Sequence, residues 1–129
     1  MENRITITGL FFGVTSIILG AFGAHALKNY LTPEQLISFE TGVRYQMYHA
    51  LFLLFVGTTS ALSDKAKKAI LSLVIVGVLF FSGSIYLLAT NDLTSFDFKV
   101  IGFVTPIGGL LLIISWIWLF VEVYKKGKH

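Results

Sequence analysis

Long apolar runs separated by short polar segments dominate the chain. Four runs, at about residues 5–27, 43–62, 69–90 and 100–123, are long enough to cross a bilayer as a helix, which takes about 20 mostly apolar residues. Backbone polar groups inside a bilayer need internal partners, so each run is expected to be helical. Because the connections are short, consecutive helices should pack as antiparallel neighbours. The pattern predicts one all-α domain over residues 1–129, a polytopic membrane protein with a four-helix antiparallel bundle.

A polar segment before the second run carries a helix-start signal. Thr32, Pro33 and Gln35 have the spacing of an N-cap, a first-turn proline and a capping-box partner, so a helix should begin at Pro33. Residues 33–42 are amphipathic, which predicts a short interfacial helix on the outer face that bends near Gly42 into the second span.

Two local contacts are also expected near the outer ends of the helices. Glu40 and Arg44 are four residues apart, the spacing of a helical ion pair. Asn91 follows the third run and is expected to cap its carboxyl end.

Composition supports a lipid environment. Of the 129 residues, 55% are hydrophobic and only 13% are charged, against about 25% in soluble domains. The absence of cysteine excludes disulfides, thiolate metal sites and a cysteine nucleophile. The net charge of +3 does not indicate nucleic-acid binding, because the basic residues lie at helix ends.

Lysine and arginine are distributed unevenly between the two ends of the predicted bundle. The side with both termini and the second loop carries Arg4, Lys65, Lys67, Lys68, Lys125, Lys126 and Lys128, whereas the other side carries Lys28, Arg44 and Lys99. Since cytoplasmic loops are enriched in these residues, both termini are predicted to be cytoplasmic. Trp116 and Trp118 are expected to anchor the inner membrane interface, and His129 is expected to have no role.

The bulkier polar side chains of all four spans are predicted to lie at one level, in the outer half of the bundle. The ligand or polar-layer candidates are His25, Arg44, Tyr45, Gln46, His49, Ser82, Ser84, Tyr86 and Thr105. Polar groups in hydrocarbon are costly, so this layer should face the interior. Tyr45, His49, Phe52 and Val56 share one helix face, which could bring His49 towards His25. Three interpretations stay open: hydrogen bonds that only fix the packing, a ligand pocket, and a metal or haem site.

Small residues predict close helix packing on two helices. The first run carries Gly9, Gly13, Ser16, Gly20, Gly23 and Ala24, including one GxxxG motif, "GLFFG". This face could meet a helix of the same chain or a second copy in a homo-oligomer. In the fourth run, "TPIGG" places Pro106 before Gly108 and Gly109, which predicts a bend and a close approach by a neighbour.

Four sequence blocks carry a family resemblance: "GAFGAHAL", "FETGVRYQMYHALFLLF", "FSGSIYLL" and "TPIGGLLLIISW". They resemble the signature blocks of the domain-of-unknown-function family four-twenty-three, which are small bacterial membrane proteins similar to the mitochondrial transmembrane protein two-fifty-six. The resemblance implies a four-helix protein of the bacterial plasma membrane. It implies no established activity, cofactor or catalytic residue.

The residues favour a non-enzymatic function. No Asp or Glu lies within a span core, and no nucleophile motif is present, so no catalytic residue is assigned. We expect a module that binds membrane lipid or another small amphiphile, or an accessory subunit, with no cofactor and no nucleic acid. One alternative is a small transporter or channel-like protein that uses His25 and His49 as titrating groups. The other is a b-type haem or metal protein with these histidines as ligands.

Overall fold

The structure is a computed structural model that describes residues 2–127; Met1, Lys128 and His129 lie outside the described residues, as do the predictions made for Lys128 and His129. Its main helices are α1 (Glu2–His25), α2 (Pro33–Thr58), α3 (Asp64–Val78), α4 (Ser84–Ala89) and α5 (Val104–Gly127). A π-helical turn, Leu79–Gly83, joins α3 to α4, and short 3₁₀ turns cover Leu27–Asn29, Asn91–Leu93 and Phe98–Ile101. The described residues are 87% helical and contain no strand, which confirms the predicted all-α class.

Three helical stretches of the described chain are long and apolar enough to cross a membrane: Asn3–Asn29, Asp64–Ala89 and Phe98–Gly127. The second of these combines α3, the π turn and α4. Helix α2 has the length but not the apolar composition, since Arg44, Gln46 and His49 lie in its interior. The structure therefore shows three candidate spans where the sequence pattern predicts four.

Helix α2 begins where the sequence predicts. The Thr32 hydroxyl accepts a hydrogen bond from the Gln35 N–H at 3.2 Å, and the Gln35 side-chain oxygen accepts one from the Thr32 N–H at 2.9 Å. This reciprocal capping box satisfies two donors that the first helical turn leaves open. The helix continues to Thr58 as one element, so residues 33–42 are its first turns and not a separate helix.

Two predicted contacts at the helix ends do not form. The Arg44 guanidinium donates to the Thr41 hydroxyl at 3.2 Å and makes no ion pair with Glu40. Thr90, not Asn91, caps the end of α4. Asn91 instead orders the connection to α5, because its side-chain oxygen accepts from the Phe98 N–H.

The same connection holds a carboxylate that backbone groups stabilise. Asp97 accepts hydrogen bonds from the Lys99 N–H at 3.1 Å and from the Asn91 side chain at 3.2 Å. These bonds, led by that of Lys99, lower the pKa of Asp97 below its ordinary value. The charged form of Asp97 thus helps to fix the shape of the loop before α5.

The helices pack in sequence order. Helix α1 lies along α2, α2 packs on α3, the π turn and α4, and α5 packs on α3 and the π turn. The connections at residues 26–32 and 90–103 lie at one end of this bundle, which we call the distal end. The start of α1, the 59–63 connection and the end of α5 lie at the other, proximal end.

Glycines on α1 allow its close approach to α2. A Cβ atom at Gly9 would lie 2.9 Å from the Ala50 carbonyl oxygen, and one at Gly23 would lie 3.0 Å from the Phe39 ring. Gly13 and Gly20 also face α2. The small-residue stripe therefore meets a helix of the same chain, and a second copy would have to use another surface.

The tightest contact in the bundle is between α5 and the π turn. A Cβ atom at Gly108 would lie 2.3 Å from the Phe81 backbone nitrogen and 2.7 Å from the Phe80 carbonyl carbon, so only glycine fits. A π turn inserts one extra residue into a helix and widens it locally. The widened backbone here rests directly on the backbone of α5.

We expect Gly108→Ala to lower the free energy of unfolding by about 1–3 kcal/mol, because the added methyl group overpacks a backbone–backbone contact. Gly83→Ala is the matched control. A Cβ atom there would meet nothing within 4 Å, so the variant should be as stable as the wild type or more stable, since alanine favours helix. Thermal unfolding in mild detergent, followed by circular dichroism, measures both. Equal stability of the two variants would contradict the contact.

Candidate functional site

Gln46 connects three helices in the middle of the bundle. Its side chain is only 5% exposed. The amide nitrogen donates to the Phe12 carbonyl at 3.0 Å and to the Thr15 hydroxyl at 2.6 Å, both on α1. The amide oxygen accepts from the Tyr86 hydroxyl on α4 at 2.7 Å. Gln46 is thus buried with its nitrogen and oxygen both hydrogen-bonded, which is what a polar group away from water requires.

Two serines link the region of the π turn to its neighbours. The Ser82 hydroxyl donates to the Gly42 carbonyl on α2 at 2.7 Å. The Ser84 hydroxyl lies 2.5 Å from that of Thr105 and donates to the Phe80 carbonyl of its own helix. These bonds attach the π turn to α2 on one side and to α5 on the other.

His49 joins α2 to α5 through Trp116. The Trp116 indole N–H donates to His49 Nε2 at 2.9 Å, and His49 Nδ1 lies 2.6 Å from the Tyr45 carbonyl. An indole nitrogen can only donate, so Nε2 is the acceptor, and Nδ1 carries the proton that it donates to Tyr45. Both ring nitrogens are occupied, and the side chain is 3% exposed. In this arrangement neither nitrogen is free to ligate a metal.

The predicted meeting of His25 and His49 does not occur. Gly13 packs against Ala50, so His49 lies near the level of Gly13 on α1. His25 is twelve residues further along α1, which at 1.5 Å per residue is about 18 Å away. His25 is also exposed. Of the predicted layer residues, Gln46 bonds to Tyr86 and Ser84 bonds to Thr105, whereas His25 bonds to none of the others.

The residues of the small-residue faces have different environments. Ser16 is buried on α1, and its hydroxyl has no hydrogen-bond partner within residues 2–127. Ala24 is exposed at the end of α1 and does not join the face against α2. Gly109, next to Gly108 on α5, lies beside the Phe81 ring, which would be 3.4 Å from its Cβ.

An apolar groove runs between α2 and α5, on both sides of Trp116. One cavity of about 650 Å³ lies between Tyr48, Leu51, Phe55 and Leu119, and a second of about 440 Å³ lies towards Phe81 and Gly109. Both share Tyr45, His49 and Trp116, so the indole separates them. We call this whole depression the α2/α5 groove. Its volume is in the range of small-molecule sites.

Aromatic rings form much of the groove surface. The Phe52 and Trp116 rings lie 4.3 Å apart between centroids, and the Tyr45 ring lies 5.1 Å from that of Phe81 and 5.3 Å from that of Tyr48. The Tyr45 and Tyr48 hydroxyls make no hydrogen bond within the described chain. The groove thus combines an apolar wall with unused polar groups at its distal end.

Most residues of the groove are absent from the sequence-based candidate sites, and two of them, Trp116 and Phe81, occupy central positions. The sequence pattern predicts an interface anchor at Trp116, whereas the structure places its indole opposite His49. Nothing in the sequence pattern marks Phe81 as a site residue. One sequence signal pointed to a partner for His49. Tyr45, His49 and Phe52 share a largely apolar face of α2, and a buried histidine on such a face needs a hydrogen-bond partner on the neighbouring helix. Which residue of α5 supplies it depends on the helix register, which a single sequence does not give.

No group of three or more His, Asp or Glu side chains in residues 2–127 is placed to hold a metal ion.

Together these features define an all-helical membrane protein with internal polar pairs and an apolar groove open to its surroundings. The model of the family "Protein of unknown function (DUF423)" matches residues 19–109, and the chain belongs to this family. It is similar to the UPF0382 membrane protein of Staphylococcus saprophyticus, at 38% identity over 92% of this chain and 95% of the relative. The UPF0382 membrane protein of Haemophilus influenzae is 35% identical over 98% of both chains.

A third relative, the UPF0382 membrane protein YwdK of Bacillus subtilis, is 36% identical over 92% of this chain and 94% of its own. No solved structure matches the chain. The family resemblance predicted from the four sequence blocks is thereby confirmed. The relatives place the chain among bacterial membrane proteins and carry no activity in their names.

We expect His49 to be the neutral Nδ1–H tautomer at pH 7, because Trp116 can only donate to Nε2. Nitrogen-15 NMR of the histidine side chains in detergent identifies the tautomer. In Trp116→Phe the hydrogen bond to Nε2 is lost and the Nε2 resonance should shift, whereas Trp118→Phe should leave it unchanged. An Nε2–H tautomer in the wild-type protein would contradict the assigned pair.

Proposed function

We propose that this protein is a non-enzymatic, four-span protein of the bacterial plasma membrane that binds a membrane lipid or a similar small amphiphile in the α2/α5 groove. The observation that carries the proposal is the groove itself, which opens sideways between two helices and has an apolar, aromatic surface. An amphiphile dissolved in the bilayer can enter such a groove without crossing water. By the lysine and arginine distribution, both termini are cytoplasmic.

Helix α2 is proposed as the fourth span in spite of its polar residues. Gln46 and His49 are buried in the bundle and hydrogen-bonded there, so neither leaves an unpaired polar group facing the bilayer. Leu51 and Phe55, which are exposed, are apolar. The helix has 26 residues, about 39 Å at 1.5 Å per residue, which exceeds the hydrocarbon thickness of about 30 Å.

The geometry gives the other functions less support. An acid–base or nucleophilic mechanism needs a positioned pair of reactive groups, and the buried His49 is already committed to Tyr45 and Trp116. Transport or haem ligation through paired histidines needs His25 and His49 at one level, and the helix register separates them. These arguments favour binding over chemistry at the groove.

A substitution that fills the groove should weaken amphiphile binding. Leu51→Trp places a large ring where Leu51 is 58% exposed on the groove wall, so we expect at least a fivefold loss of bound amphiphile, on the order of a 1 kcal/mol penalty. Native mass spectrometry from mild detergent reports bound small molecules, and also the number of copies per assembly.

Leu110→Trp is the control for this experiment. Leu110 on α5 is 57% exposed and lines neither part of the groove, so the same substitution there should leave the bound amphiphile in place. Wild-type protein that carries no small molecule, or equal retention by both variants, would argue against a binding function of the groove.

A further inference from the structure

The groove has the length of one bilayer leaflet. Its α2 wall extends from Tyr45 to Phe55, ten residues that span about 15 Å along the helix. The hydrocarbon core of a bilayer is about 30 Å thick, so this length corresponds to the chain region of one leaflet. An extended acyl chain of a membrane lipid would fit along it.

A cation lies at the distal end of this wall. Arg44, Tyr48, Leu51 and Phe55 follow one another at helical spacing on the same ridge of α2, so Arg44 is one turn distal to Tyr48, at the distal end of the groove. Gly20 packs against Val43, which places Arg44 about five residues, or 8 Å, below the level of His25 at the end of α1. The bond to Thr41 directs the guanidinium towards the distal end, where lipid headgroups lie.

This arginine has no acidic partner. It is exposed, and no carboxylate of the described residues lies within ion-pair distance of it. The Tyr48 hydroxyl, one turn nearer the groove, is also unused, as is that of Tyr45. A guanidinium is a planar donor fork that matches a phosphate group, and two phenol hydroxyls add further donors below it.

We propose that the α2/α5 groove selects an anionic phospholipid of the bilayer, with its phosphate on Arg44 and the tyrosine hydroxyls and one acyl chain along Leu51 and Phe55. This inference rests on the proposed function and names its ligand. The lateral opening makes the surrounding bilayer the source. Net negative charge is required because Arg44 has no competing carboxylate contact, whereas a zwitterionic headgroup brings its own cation.

Tryptophan quenching by brominated lipids tests this selection, because the protein has only two tryptophans and one of them is in the groove. In Trp118→Phe, only Trp116 reports. The variant is reconstituted in vesicles that mix phosphatidylglycerol and phosphatidylcholine, with bromine on the chains of one lipid at a time. We expect phosphatidylglycerol to be preferred at Trp116 by about fivefold, the effect of one basic residue on an anionic lipid.

Three further variants locate the preference. Arg44→Gln in the Trp118→Phe background should remove it, and Arg44→Lys should retain part of it, because the charge stays but the planar fork is lost. Glu40→Gln removes a nearby negative charge and should leave the preference at least as strong. In Trp116→Phe, where Trp118 reports from outside the groove, no preference is expected. Circular dichroism checks that each variant stays helical.

The outcomes separate this inference from the proposed function. If Trp116 is quenched no more than Trp118 by either lipid, the groove holds no lipid and the proposed function fails. If Trp116 is quenched more strongly but equally by both lipids, or if Arg44→Gln keeps the preference, the groove binds lipid without selecting its charge. Loss of preference in Glu40→Gln would likewise overturn the assignment to Arg44.

Discussion

The hydrogen bonds of Gln46 are the interaction on which the rest of the bundle depends. In a bilayer no water is available for a polar side chain, so an amide there needs partners from the protein. Gln46 finds them on α1, through the Phe12 carbonyl and Thr15, and on α4, through Tyr86. Such bonds average about 0.6 kcal/mol in membrane proteins, so they do little for stability but fix how the helices are aligned. That alignment determines what lies opposite every other polar residue.

The groove results from how α5 is held. Its closest approach is to the π turn, where Gly108 lets two backbones touch, and this contact keeps α5 beside the third helix. Helices α2 and α5 both pack on α3 and the π turn, and they meet each other mainly at Trp116, which bonds to His49 and packs on Phe52. This narrow contact leaves room for another molecule on each side of the indole. The π turn also presents Phe81 to the groove, which links a backbone irregularity to a binding surface.

Local signals made part of the structure predictable. The capping box at Thr32 and Gln35 is contained in four residues, and the structure has it as predicted. The all-helical class was predictable because each long apolar run can be recognised in the sequence without knowing which helix it packs against. The site was harder to predict from the sequence. Whether His49 meets Trp116 or His25 depends on how the helices are aligned in the bundle. The π turn was also unpredictable, since it depends on the fit between Gly108 and the Phe81 backbone across two helices. The polar residues of α2 can be identified from the sequence, but which residues lie opposite them is a property of the assembled bundle.

The polar character of α2 has a consequence for how the protein is made. On the proposed topology, Gln46 and His49 in α2 oppose insertion of this helix into lipid until their hydrogen-bond partners are present. Helix α1, which is apolar and is synthesised before α2, carries the carbonyl and the hydroxyl that accept hydrogen bonds from Gln46. The two helices are therefore suited to enter the bilayer together as a hairpin, because α1 supplies the hydrogen-bond partners for Gln46 that lipid cannot provide.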